Sequence, residues 1–527
     1  MNKQKTGTLV AVGFFLLLLY GAIALSLGNF QFLHFNYATF NQFGVISFAE
    51  LSSQLWKILL LIPALIVFSV LFARQKFTIE LPSNIHYRRF LVIISIIAML
   101  ILILSIEFVF KETEITDDEN AYTFQAATLL QGRFANSSPP TIKNFNNIFV
   151  INDGSHWVGK YTIGHPLIIA IGQFFGNQYI CIVLISVLLI MMVYLIGKEL
   201  YNDKNLALFA SLLVSISPFF YAVSSSRLSH TTSAFFLALT LFLFLRARNC
   251  EKIKVSQILF FMSGFALSYA FNVRQLTALV YSVPLIILFI VDILKNPDKL
   301  FRSFVPFCVG FGIIFFFTLW YNALVTGNPV MFPFNYYNPL EYLGFGSYGH
   351  NLVFALNNAA IALFRLNIWF LGIPISLLFV FIMLFKQNLF GDKVLFGIIF
   401  SMFFGYLFYY SPGIGDIGPI YYYELIVPLT LLSARGVFSL PELLSFTREK
   451  SIKLVSFFLI IGLLFSIVAF YREKVQHIKS LTAQVRAPYE AIEEANIHNA
   501  LVLVKKLPPI RGWVFGLRNP SPTLDDD

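Results

Sequence analysis

Apolar residues run along this chain in long blocks, without the period-two alternation of a half-buried strand. Gly7–Gly28, Leu55–Ala73, Phe90–Phe110 and Ile452–Tyr471 each come close to the ~20 residues that carry a helix across a bilayer core. Only helices and closed barrels satisfy the backbone in lipid, and barrel strands would alternate. The pattern therefore predicts an all-α polytopic membrane protein. About thirteen transmembrane helices are expected, near 7–28, 55–73, 90–110, 179–197, 206–222, 232–247, 256–273, 277–293, 304–322, 368–385, 394–411, 421–434 and 453–471.

Composition agrees. The 527 residues are 57% hydrophobic and 12% charged, against about 25% charged in soluble domains. A net charge of +10 invites a nucleic-acid partner, but the basic residues sit at helix ends in alternate loops. Arg74, Lys76, Arg88 and Arg89 share one side with Lys198, Lys204, Arg246, Arg248, Lys252, Lys254, Lys295, Lys299, Arg302, Lys386, Lys393, Arg435, Arg448 and Lys450. Residues 29–54 and Ser411–Pro419, on the other side, carry no Lys or Arg. That asymmetry is an orientation signal. It places the N-terminus inside and the C-terminus outside, and excludes nucleic acid as a partner. Cys181, Cys250 and Cys308 suggest no disulfide framework. The first block follows Lys3 and Lys5 as a leader would, yet exceeds the usual ~7–15-residue apolar region and is read as a mature helix.

With this threading the outer side receives the long polar loops 111–178 and 323–367, a Gly/Pro loop at 411–420 and the tail. Chemistry is expected there. The division expected is two additional N-terminal helices in 1–89, a transmembrane core in 90–471 and a short outer tail in 472–527.

The first outer loop is the most informative stretch. Thr116 followed three positions later by Glu119 is a capping box, and Gly132 suits a left-handed C-terminal cap, so a helix is expected between them. Asp118, Tyr122 and Gln125 share one face by their spacing. Acids in a first turn complement the helix dipole. Three in succession, Asp117, Asp118 and Glu119, exceed what a cap requires and offer a general base for an acceptor hydroxyl. No zinc-like spacing, Walker loop or dinucleotide fingerprint is present. No metal or other cofactor is expected, with Mg or Mn at the three acids as the open alternative.

The acidic start with Tyr122 and Ala126 resembles the GT-C superfamily of membrane glycosyltransferases, within it the bacterial branch of protein O-mannosyltransferase-like and lipid A aminoarabinose transferase-like enzymes. Further similar stretches follow in order: Lys160–Pro166, Ser229–Thr231, Asn272–Gln275, Thr326–Pro329 and Gly418–Glu424. The resemblance spans nearly the whole chain, about residues 90–527. Where relatives often carry Arg in the last motif, this chain has Ile420, so a phosphate-binding role is not carried over to that position.

The resemblance implies a hexosyl- or pentosyltransferase in a bacterial cytoplasmic membrane. It would move sugar from a polyprenyl-phosphate donor to a glycan, lipid or protein acceptor at the outer face. Asp118 leads as the base, with Glu119 the alternative and Asp117 supporting. Arg274, Lys160, Arg227 and His165 would hold the donor phosphate, an Arg fork suiting phosphate oxygens. Tyr122, His230, Tyr421, Tyr422 and Glu424 would line the substrate site. A carboxylate entering a span, as Glu424 does, wants a partner. The alternatives are a polysaccharide polymerase or O-antigen ligase, which tends to place catalytic Arg and His in late loops, and a flippase or transporter of lipid-linked sugars. A transporter predicts ionisable residues at mid-span, and these spans have almost none.

The threading has a direct check. Single cysteines at Asn144 and Asn499, in a Cys-free background, should react with an impermeant thiol reagent in intact spheroplasts. Labelling only after membrane rupture would overturn the sidedness.

Overall fold

A computed structural model describes residues 86–139, 145, 147–373, 375–386, 389–444 and 447–496. Within them the chain is a helical bundle with two small sheets in its loops. Among the described residues nine helices are long and apolar enough to cross a membrane: Tyr87–Phe110, Ile180–Tyr201, His230–Arg248, Ile253–Val273, Gln275–Lys295, Leu300–Thr326, Leu352–Trp369, Ile420–Leu443 and Lys453–Glu494.

Burial sorts these helices by position. Only 22% of the most apolar window of Tyr87–Phe110 is buried, and Ile97 and Leu104 stay half exposed on it. The corresponding window of Ile420–Leu443 is 89% buried, so this helix runs through the middle of the bundle. A helix as little buried as Tyr87–Phe110 faces lipid over most of its surface and is apolar on nearly every side, whereas the central one can carry Glu424, Thr430 and Ser433 against protein.

Two expected spans differ in form. The stretch 206–222 is a broken helix, Lys204–Ser215 followed by Pro218–Ser224 with a 59° bend between them. Pro218 lacks the N–H that would continue the ladder, and the Ser217 hydroxyl caps the new start by accepting from the Phe220 N–H at 3.3 Å. The stretch 368–385 is not one span: a long helix ends at Trp369 and a short one, Leu378–Lys386, begins after a break. Leu352–Trp369 was expected as outer loop and is instead a span-length helix, and 394–411 is a helix of only 17 residues, Phe390–Tyr406. The expected spans 7–28 and 55–73 lie outside the described residues.

Three features aim the loops at one end of the bundle. A single residue, Arg274, separates Ile253–Val273 from Gln275–Lys295, and its extended backbone (φ −147°, ψ 96°) lets the two helices form a hairpin. The first loop folds as the helix Asp117–Leu130 and a three-stranded antiparallel sheet of Asn136–Ser137, His156–Gly159 and Val150–Asn152, in that spatial order. Gln125 binds sheet and helix together, accepting from the Gly159 N–H at 3.0 Å and donating to the Phe134 carbonyl at 2.9 Å. The sheet then hands the chain back to the hairpin. Gly164 sits so close to Asn272 that a Cβ there would lie 2.8 Å from the Asn272 carbonyl oxygen.

The hairpin's first helix is clamped from behind at Gly264 and Gly310, where the backbones of Ile253–Val273 and Val305–Thr326 touch with no room for a side chain on either. Gly264→Ala should therefore cost about 1–3 kcal/mol by overpacking. Thermal unfolding of the purified protein reads this, and an unchanged midpoint would contradict the back-to-back contact.

Candidate active site

The acidic turn at Thr116 divides its carboxylates between different tasks, because successive helical residues point about 100° apart. The Thr116 hydroxyl accepts from the Glu119 N–H at 3.3 Å and Glu119 Oε2 accepts from the Thr116 N–H at 3.0 Å, which is the capping box expected from the sequence. Oε2 also accepts from the Ile115 N–H and the Thr116 hydroxyl at 3.0 Å each, and Oε1 from the Arg227 N–H at 2.8 Å. Glu119 is wholly buried. Burial pushes its pKa up, against the lowering pull of the Arg227 N–H and charge and of Thr116. A carboxylate so occupied is placed as a structural anchor, with no face toward an acceptor. Asp117 is also buried.

Asp118 is half buried and points toward Tyr161 instead. Its Oδ1 accepts a short hydrogen bond from the Tyr161 hydroxyl. The Tyr161 ring lies 4.7 Å from that of Tyr122. Burial, then the Asp118 charge, holds the Tyr161 hydroxyl well above its usual pKa, so it stays a donor. Tyr122 donates to the Ser229 hydroxyl at 3.1 Å, and the Arg274 guanidinium donates to the same oxygen at 3.2 Å. Asp118 and Arg274 thus meet across a wall made of Tyr161, Tyr122 and Ser229.

Arg274 is held from beneath. Its Nε is 3.6 Å from Glu424 Oε1, and its guanidinium lies over the Tyr421 ring at 5.0 Å. His230 Nδ1 is 3.4 Å from the same Glu424 oxygen. The partner that Glu424 wanted is therefore Arg274, with His230 on its other side. Tyr421 stacks on Tyr406 at 5.4 Å. Tyr422 turns away to stack on Phe403 at 4.5 Å.

Lys160 follows the sheet directly, next to Tyr161. Its ammonium is buried 3.1 Å from Glu341 Oε1 and 3.6 Å from the Phe149 ring centre. Glu341 belongs to the second large loop, so this pair joins the two large loops beside Asp118. Burial raises the Glu341 pKa, while the Lys160 charge and hydrogen bond pull it down.

Arg227 and His165 stand differently from the expectation that they contact donor phosphate. Arg227 NH1 donates to Glu114 at 2.8 Å and Thr123 at 3.3 Å, NH2 donates to the Glu112 carbonyl, and the guanidinium covers the Tyr179 ring at 4.9 Å. His165 Nε2 lies 2.6 Å from the Arg227 carbonyl and Nδ1 2.9 Å from the Thr232 hydroxyl. A carbonyl only accepts, so Nε2 carries the proton and Nδ1 accepts from Thr232. Burial lowers the His165 pKa to about 4 and keeps the ring neutral. Both residues brace the turn that presents Ser229 and His230. Among the described residues no group of three His, Cys, Asp or Glu could hold a metal ion.

Sequence reasoning missed Tyr161, Ser229, Glu341 and Tyr406. Tyr161 and Ser229 lie inside stretches singled out for their neighbours, whereas Glu341 and Tyr406 carry no local signal, since their partners are far away in sequence.

Comparison with known proteins bears on the fold. Residues 165–321 match the family described as dolichyl-phosphate-mannose-protein mannosyltransferase. The fold is similar to that of ArnT from Cupriavidus metallidurans bound to undecaprenyl phosphate, with a TM-score of 0.52 and 11% identity over 77% of this chain and 80% of that one. Apo ArnT from the same organism gives 0.50 at 12% identity, over 78% and 81%. The archaeal oligosaccharyltransferase AglB from Archaeoglobus fulgidus, in complex with an inhibitory peptide and a dolichol-phosphate, gives 0.40 at 13%, over 77% and 58%. No curated protein matches the sequence. The chain thus shares its fold with ArnT, and the family match spans the stretch from His165 to Tyr321.

The brace has a measurable consequence. Arg227→Ala removes the Arg227–Glu114 ion pair and should cost roughly 3 kcal/mol of stability, as breaking a largely buried pair does. An Arg serving substrate alone would instead lose turnover at an unchanged unfolding midpoint.

Proposed function

We propose that this protein is an inverting glycosyltransferase that takes a sugar from a polyprenyl-phosphate donor and passes it to an acceptor hydroxyl at the outer face of a bacterial cytoplasmic membrane. The observation that carries this reading is the meeting of Asp118 and Arg274 in one aromatic-walled site where the outer loops cover the bundle. ArnT, whose fold is similar, is bound to undecaprenyl phosphate, which supports a lipid phosphate as the donor's leaving group.

Asp118 removes the proton of the acceptor hydroxyl as its oxygen attacks the anomeric carbon. The bond from that carbon to the phosphate oxygen breaks, and polyprenyl phosphate leaves with the electron pair. General-base help of this kind contributes about 10²–10⁴-fold. Tyr161 orients the Asp118 carboxylate, leaving one oxygen for the acceptor. Arg274 meets the charge growing on the departing phosphate, a positioned donor in a water-poor site. Lys160 supplies a second positive charge once phosphate competes with Glu341. Tyr122 and Tyr421 line the sugar's path. Glu424 and His230 hold Arg274 in place. Arg227, His165 and Glu119 build the frame, and no step requires a metal.

Purified protein with a polyprenyl-phosphate sugar tests the assignment at Arg274. Arg274→Lys keeps a charge beside Glu424 but loses the planar fork. Its kcat/KM for donor should fall about 10–100-fold, the loss of a charged hydrogen bond of about 1.5–3 kcal/mol. Full turnover at low donor concentration would make Arg274 an interfacial anchor only.

A further inference from the structure

The end of the bundle opposite the Asp118 site holds a second polar recess that the proposed reaction does not use. His230–Arg248 and Gln275–Lys295 reach it with their C-terminal turns, and Ile253–Val273 with its first turn. It is about 140 Å³ in volume, and Arg248, Ser256, Asn296, Lys299, Arg302 and Ser303 are among its lining.

We propose that this recess binds the phosphate headgroup of an anionic phospholipid in the leaflet opposite the Asp118 site. The charge balance is the first reason. Residues 246–254 and 292–303 carry seven basic side chains against three acidic ones. Asp292 neutralises the back wall, where Arg248 holds it with bonds of 2.7 and 2.9 Å and Lys299 approaches at 3.6 Å. Arg302 is half exposed at the mouth, and its contact at 3.3 Å is with Asp298, itself 69% exposed. An exposed pair of this kind is worth little, so its Arg is available to a better anion. Lys252, Lys254 and Lys295 stand exposed around the rim.

Backbone donors are the second reason. The helix Ile253–Val273 begins at Lys252 with no side-chain cap, so N–H groups of its first turn lack helical acceptors beside the recess. Their dipoles favour a negative group.

The surroundings decide which anion. Ile253 is 50% exposed, Leu294 78% and Phe301 70% at this same end. Apolar side chains next to a basic rim fit the boundary between headgroups and acyl chains, where a soluble anion has no reason to prefer the site but a lipid satisfies both halves. This inference stands apart from the proposed reaction, because none of these residues belongs to the Asp118 site.

Native mass spectrometry of the full-length protein, released from nanodiscs of mixed phosphatidylglycerol and phosphatidylcholine, reads the preference directly. The wild type should retain phosphatidylglycerol at least tenfold over phosphatidylcholine, and the pair Lys299→Gln with Arg302→Gln should lose that excess. Lys299→Arg with Arg302→Lys conserves charge and should keep it, which guards against a misfolded double variant. Equal retention of the two lipids by the wild type, or undiminished phosphatidylglycerol on the neutral variant, overturns the proposal. Inorganic phosphate at millimolar concentration should leave the lipid bound. Displacement by phosphate would make this a free-anion site and refute the lipid assignment.

Discussion

The carboxylate of Glu119 ties the first large loop to the helical bundle, and the geometry of the candidate site depends on that tie. One oxygen gathers the N–H groups of Ile115 and Thr116 with the Thr116 hydroxyl, and the other takes the N–H of Arg227. Each bond to a charged acceptor is stronger than a neutral one, and buried away from water it cannot be replaced. The turn at Arg227 leads directly into Ser229 and His230, and the helix that Glu119 caps carries Asp118 and Tyr122. The anchor therefore sets the distance between the two halves of the site before any substrate arrives.

A second buried carboxylate repeats the arrangement on the other side. Glu424 enters the central helix with His230 at 3.4 Å and Arg274 at 3.6 Å, and it neutralises a guanidinium that would otherwise stand unpaired among aromatic rings. The outer surface of Arg274 stays open toward Ser229 and Tyr122. One acid builds the frame, one holds the cation, and Asp118 alone among the three remains only half buried. That distribution is what supports the proposal of Asp118 as the base.

Much of this was legible in the sequence. The lipid-facing helix Tyr87–Phe110 reads plainly because nothing but apolar side chains suits its surroundings, and the capping box at Thr116 is local and was found where expected. Leu352–Trp369 escaped notice because Asn357, Asn358, Arg365 and Asn367 dilute its apolar run. The bend after Ser215 follows from Pro218, a local signal that the uniform apolar run on either side concealed. In the site, Asp118, Arg274 and Glu424 announced themselves as ionisable groups at membrane boundaries. The division between Glu119 and Asp118 was not legible, since it depends on a hydrogen bond to Arg227, 108 residues away. Glu341, 181 residues from Lys160, was hidden for the same reason.

On the proposed reading neighbouring acids have separate tasks, Asp118 the proton and Glu119 the frame. Turnover and unfolding midpoint, measured together on purified Asp118→Asn and Glu119→Gln with a polyprenyl-phosphate sugar, test it most directly. Asp118→Asn should lose about 10²–10⁴-fold in kcat at a nearly unchanged midpoint. Glu119→Gln should lower the midpoint, because an amide cannot match the charged acceptor, while molecules that remain folded keep most of their turnover. An active Asp118→Asn beside a well-folded but inactive Glu119→Gln would contradict the claim and move the base to Glu119.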